Sequence, residues 1–210
     1  DAHKPITKVP LHEDISNQRV SSFVEDELGH IWIGTYRGLN KFTSGEYYQY
    51  FSVDDSLGLP DNQISQLYRD SRDRLWVGTV NGISRYTEND SFKQIPLESS
   101  SSNVIQIFEN LSGRLFVNTA NSLCVYDPKT DTFEEELKIG RTPFLANTCF
   151  IAPNNDLWVV TSVDMKRYCS LTMELKDSLS IHNYPTYSYM SEEGYLWLSG
   201  NEETLIYDTK

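Results

Sequence analysis

With 210 residues the chain is long enough to bury a substantial core, and length alone leaves one or two domains open. Its net charge of −12, from 18 Lys and Arg against 30 Asp and Glu, repels phosphate backbones and anionic lipid, which argues against nucleic acid or membrane contact by this segment. No run of 18 apolar residues occurs and the opening DAHKPITKVP lacks the order of a signal peptide, while 12% aromatic residues, 13 of them Tyr, favour β structure.

In chain order, ITKVPL (6–11) reads as a lone strand, and IWIGTYRGLNKF (31–42) then returns almost unchanged as LWVGTVNGISRY (75–86). Aligned on its aromatic anchor, the chain resolves into five units centred on Trp32, Trp76, Phe116, Trp158 and Trp197, at spacings of 44, 40, 42 and 39. A period of roughly 40–50 residues is that of one four-stranded propeller blade.

Unit two shows the pattern: ISQLYRD, RLWVGT, GISRY and FKQI are four short runs separated by turn formers. The LWVG strand is apolar on both faces, as a strand sandwiched between neighbouring blades must be. Trp32 or Trp76 is expected in one seam, with Ile31 and Ile33, or Leu75 and Val77, in the other. Gly34 and Gly78 stand where a side chain would strike the next blade, and Arg37-Gly38 and Asn81-Gly82 supply positive φ for tight hairpins.

Unit five ends one strand short, and ITKVPL matches FKQIPL (92–97), read as the fourth strand of unit two. Either the chain closes on itself as five blades, with 6–11 as the outer strand of the last, or that strand belongs to a last blade beyond Lys210. The predicted fold is therefore all-β: a propeller of about five blades over approximately 12–53, 54–97, 98–139, 140–180 and 181–210, or a fragment of a larger one.

The run from Asp26 to Phe42, D-x-x-G-x-[LI]-W-[IV]-G-T-x-x-G-[LI]-x-[KR]-[FY], recurs from Asp70 to Tyr86 with Asp73 in place of the glycine, and resembles the two-component regulator propeller repeat. The resemblance implies the periplasmic sensor region of a hybrid sensor histidine kinase, responding to a saccharide or related signal. It also implies more blades and signalling domains in the same chain. It maps no ligand residue onto this sequence.

The residues themselves show little chemistry. There is no G-x-S-x-G, P-loop or H-E-x-x-H, and His3, His12, His30 and His182 never fall at helical ligand spacing. His30 reads as a solvated turn residue. Acidic clusters at Asp54-Asp55, Glu134 to Glu136 and Glu202-Glu203 lack the calcium-loop pattern and read as solvated surface, so no cofactor or metal is expected. Cys124, Cys149 and Cys169 each sit in a strand-like run and read as small buried thiols, with a Cys149–Cys169 bridge as the alternative.

Geometry supplies the candidate site. The second-to-third-strand hairpins and the blade-to-blade connections share one rim, which would gather 54–63, 98–103, 140–147 and 181–187 with Tyr36, Arg37, Asn81, Asn121 and Asp164. Aromatic faces stack on sugar C–H surfaces while Asn and Arg supply paired hydrogen bonds. Tyr36, Arg37, Asn62, Asn81, Asn103, Asn121, Asn147 and Tyr187 are accordingly the candidate saccharide contacts. The plain alternative makes Asn17, Asn62, Asn103 and Asn147 loop caps.

Two other functions compete with sensing. One is a protein-interaction or dimerisation propeller, with Tyr47, Tyr48 and Tyr50 on an outer strand as its docking rings. The other is an enzyme similar to streptogramin-type lyases, for which only His182 lies in a rim loop.

Overall fold

The computed structural model describes residues 15–43, 47–52, 58–87, 90–139, 148–181, 185–200 and 203–210, and no side chain of 47–50. The strand expected at 6–11, the loop 140–147 with Asn147, and the rings of Tyr47, Tyr48 and Tyr50 therefore lie outside the described residues.

The described residues form an all-β propeller segment of five sheets. Blade one is β1 (Val20–Glu25), β2 (Ile31–Thr35), β3 (Gly38–Thr43) and β4 (Tyr47–Phe51). Blade two is β5 (Ile64–Arg69), β6 (Leu75–Thr79), β7 (Gly82–Thr87) and β8 (Ser91–Ile95), followed by the two-residue β9 (Leu97–Glu98). Blade three is β10 (Val104–Glu109), β11 (Leu115–Thr119), β12 (Ser122–Asp127) and β13 (Thr132–Lys138). Blade four is β14 (Thr148–Ile151), β15 (Asp156–Val160), β16 (Asp164–Cys169) and β17 (Leu175–Ser180); blade five has β18 (Tyr187–Met190), β19 (Tyr195–Ser199) and β20 (Thr204–Asp208). Every blade is an antiparallel meander, and the innermost strands pack in sequence, β1 on β5, β5 on β10, β10 on β14 and β14 on β18.

One expectation is corrected. The fourth strand of blade two ends at Ile95, not at 97, because Pro96 has no N–H to continue the ladder. The Pro96 carbonyl instead accepts from Phe133 N at 2.9 Å, and β9 runs parallel along β13 of blade three.

The apolar seams follow the repeat. Trp32 is fully buried with Leu39, Phe51, Ile64, Leu67, Leu75, Val77 and Phe92, so blade two's Leu75 and Val77 fill the seam behind their own tryptophan. Trp76 lies in the next seam with Val104, Ile107, Val117, Tyr126 and Phe133. Each such fully buried large side chain contributes about 1.5–3 kcal/mol.

The glycines answer to contact and to turn geometry. A Cβ on Gly34 would meet Ile64 Cγ2 at 2.7 Å, and one on Gly78 would meet Val104 Cγ1 at 2.6 Å, both on the following blade. Gly38 and Gly82 turn the hairpins with φ of 123° and 134°.

Side chains also reach from one innermost strand to the next. Gln66 Oε1 accepts from Ile107 N at 2.6 Å, and Gln106 accepts from Cys149 N (3.0 Å) while donating to Cys149 O (2.9 Å). Ser22 Oγ, at the corresponding position in blade one, accepts from Leu67 N at 2.9 Å. Register shifts beside Ser22, Gln66 and Gln106 aim these side chains at the neighbour.

Candidate functional site

The rim is built by a threonine that closes each hairpin. Thr35, Thr79 and Thr119 donate through Oγ1 to the carbonyls of Gly38 (2.8 Å), Gly82 (2.9 Å) and Ser122 (3.0 Å), and Thr161 does the same to Asp164 (3.1 Å). The same oxygens accept from the amides of Arg37, Asn81, Asn121 and Val163. Four hairpin backbones are thereby fixed alike, and what they present to solvent is free to vary. Its sequence signal is the T of I-W-I-G-T, a fixed member of the motif.

The hairpins and the entries to the inner strands share this rim. Tyr36 N donates to Arg19 O, Val80 N to Gln63 O and Ala120 N to Asn103 O, at 3.0–3.2 Å. Tyr36 is exposed and carries the Arg19 guanidinium 4.2 Å from its ring centre, with Arg37 exposed beside it. Asn81 is exposed on the next hairpin, and its Oδ1 accepts from Ser102 Oγ (3.2 Å), tying it to the loop 98–103. Asn121 accepts through its carbonyl from Ile139 N (2.7 Å), while its buried Oδ1 has no protein partner. Tyr187 is 79% exposed at the start of β18.

The remaining asparagines divide. Asn17 is a loop cap, its Oδ1 accepting from Arg19 N at 2.8 Å. Asp61, beside Asn62, accepts from Gln63 N (2.8 Å), and Ser101 Oγ accepts from Asn103 N (3.3 Å). Tyr36 and Arg37 share the hairpin of blade one, Asn62 and Asn81 flank strands of blade two, Asn103 and Asn121 those of blade three, and Tyr187 begins blade five.

At the opposite end, a groove of about 480 Å³ lies among β10, β14 and β18, lined by Gln106, Phe108, Glu109, Phe150, Met190 and Glu192. His30 is also at this end, and it is half-buried rather than solvated. Its Nδ1 lies 2.9 Å from Asp26 Oδ2, because that carboxylate also takes the Trp32 indole (2.9 Å) and the amides of Leu28 and His30. Burial raises the Asp26 pKa, but these hydrogen bonds outweigh it and hold the carboxyl below its usual value.

The thiols are unbridged. Cys124 and Cys149 are buried, which pushes the Cys124 thiol up to about 11, whereas Cys169 is half-buried rather than buried. Of the acidic cluster at 134–136, Glu136 pairs with Arg114 at 3.2 Å and Glu134 is exposed. Among the described residues no group of three or more His, Cys, Asp or Glu is placed to hold a metal ion.

Blades of this register, joined in series by buried tryptophans, define a β-propeller. Residues 14–37 and 58–81 match the model of the two component regulator propeller family. The fold overlays 96% of the chain on 30% of the extracellular domain of a putative hybrid two component system from B. thetaiotaomicron, at a TM-score of 0.74 and 19% identity. A second extracellular domain from that organism, of a putative one component system, gives 0.71 at 23% identity over 97% of this chain and 28% of its own. The chain thus spans about three-tenths of the length of these proteins. Virginiamycin B lyase from Staphylococcus aureus shares the fold at 0.63 and 14% identity, over 90% of this chain and 70% of the lyase. No curated protein matches the chain.

Proposed function

We propose that this chain is a non-catalytic, ligand-recognising segment of the periplasmic half of a hybrid two-component sensor histidine kinase, and that its ligand is a saccharide. The observation that carries the reading is the rim of threonine-closed hairpins, which holds Tyr36, Arg37, Asn81 and Asn121 on fixed backbone at one end of the blades. Tyr36 offers an exposed ring, with Asn121, Asn62, Asn103, Asn147 and Tyr187 as further contacts. The match to the two component regulator propeller model and the extracellular domains of similar fold support a sensing role. Signalling then follows from unequal affinity of the ligand for two receptor arrangements.

Thermal unfolding against a panel of plant and host oligosaccharides tests the reading. A ligand at about 100 times its Kd adds about 2.7 kcal/mol of stability, a shift of several degrees at this size. One glycan class is expected to raise Tm, and Arg37→Ala and Asn81→Ala to abolish the shift without lowering the unliganded Tm. A flat panel with cooperative unfolding intact removes the site from this segment.

A further inference from the structure

Register sets one position on every innermost strand at the end opposite the rim: Glu25 facing Ile31, Arg69 facing Leu75, Glu109 facing Leu115, Ile151 facing Leu157 and Met190 facing Leu196. In blades two and three this residue reaches back to the blade before it. Arg69 Nη1 donates to Glu25 O at 3.5 Å, and the Glu109 carboxylate accepts from Ser71 N (2.7 Å) and Ser71 Oγ (3.2 Å). Ile151 has no polar atom for such a bond, and Met190 only a thioether sulfur. From blade four onward this position therefore presents an apolar wall, and there the groove of about 480 Å³ opens among β10, β14 and β18.

Two properties of the lining define what fits it. Phe108, Phe150, Ile151 and Met190 are half-buried and supply carbon surface, with the Phe108 ring held parallel to Phe116 at 5.1 Å between centres. The charges of the lining are all of one sign: Glu109 and Glu192 are present, and no Lys, Arg or His is. The donors that Ser71 gives Glu109 are neutral, so its charge stands. Burial, and after it the Glu109 charge, push the nearby Tyr68 phenol up to about 12. Glu192 is exposed.

We propose that this groove binds a small organic cation, an ammonium group carried on an aromatic or alkyl body. Its volume falls within the roughly 300–1,000 Å³ of small-molecule sites. The body packs on Phe108, Phe150 and Met190, while the charge is drawn by Glu109 and Glu192 and by the aromatic rings. An anion would meet two carboxylates inside the field of a molecule of net charge −12. A neutral sugar is the poorer occupant, because a wall made mainly of carbon leaves its hydroxyls without partners. The groove lies at the end opposite Tyr36, Arg37 and Asn81 and takes a ligand of another class, so it is a second site and not part of the rim.

Methyl-labelled methionine gives a direct readout, because the chain has three methionines and of these only Met190 lines the groove. In carbon-13 NMR titrations at pH 7, benzylammonium is expected to shift the Met190 methyl signal saturably while Met165 and Met173 stay in place. Benzyl alcohol is expected to bind more weakly, and benzoate not at all. Glu192→Gln removes an exposed charge and is expected to weaken benzylammonium about two- to fivefold, leaving benzyl alcohol unchanged. Unmoved Met165 and Met173 signals in that variant report an intact fold. A Met190 signal that does not move, or that moves together with the other two, overturns the proposal. So does benzyl alcohol bound as tightly as the ammonium, or an unchanged affinity in Glu192→Gln. The glycan panel reads the rim, so the failure of either site leaves the other standing.

Discussion

The indole Nε1 of Trp76 donates to Asp70 Oδ2 at 2.8 Å, across a turn of six residues. The same carboxylate takes Arg74 Nε (2.6 Å) and the amides of Arg72 and Arg74 (3.0 and 2.9 Å), and its side chain is wholly buried. Asp70→Ala therefore leaves an indole, a guanidinium and two amides unsatisfied, and is expected to lower stability by about 3–5 kcal/mol. Urea unfolding measures it; a loss within the noise of a surface substitution would show that the turn reorganises.

Blade four carries Trp158 but has Ala152 where Asp26 and Asp70 stand, and Trp158 Nε1 is buried without a partner. Ala152→Asp supplies the acceptor, and a gain of about 1 kcal/mol is expected. A lower urea midpoint in this variant would mean that the indole is turned away from position 152.

Gly78→Ala drives a methyl to 2.6 Å from Val104 Cγ1, and overpacking of this kind costs about 1–3 kcal/mol. Val104→Ala alone is destabilising, yet the pair is expected to be less destabilised than the sum of the single changes. Additive losses in a double-mutant cycle would place the strain elsewhere.

Gln106→Ala removes both bonds to the Cys149 peptide group, with an expected loss of about 1–2 kcal/mol. Amide exchange at Cys149 is the sharper readout. It should quicken selectively, and an unchanged rate at that amide would show that the strand ladder alone protects it.

Burial raises the Asp131 pKa, but bonds from Arg85, Lys93 and Tyr126 outweigh it and hold the carboxyl well below its usual 3.8. A depressed pKa stabilises the fold fully above the ordinary value, and that stability drains as pH falls through it towards the folded-state value. Asp131→Asn keeps a residue that tolerates the turn's φ of 57° and should be less stable than the parent at pH 7, the gap narrowing below about pH 4. A gap that persists undiminished at pH 3 would assign the effect to hydrogen bonding rather than to charge.

Period and glycines carried the fold. Trp76, Gly78 and Gly82 recur at fixed offsets because each answers a steric demand local to one seam or one turn, and such demands are written in residue type. The cation–tyrosine–acid groups, Lys41 with Tyr86 and Asp90 and Arg85 with Tyr126 and Asp131, were not legible. Lys41 and Asp90 lie 49 positions apart, and only the register of two adjacent blades makes them neighbours. The glutamine links were hidden for the same reason, since nothing in ISQLYR marks Gln66 as reaching the peptide of Ile107. The rim was readable as a place, and Asn17 as a cap. The sequence did not reveal that Asn81 would be tied to Ser102.

The parallel pairing of Leu97–Glu98 with Phe133–Glu134 has a mechanical consequence. It gives blades two and three a shared backbone ladder, so a force applied through the chain must shear that ladder before either sheet can peel from the other.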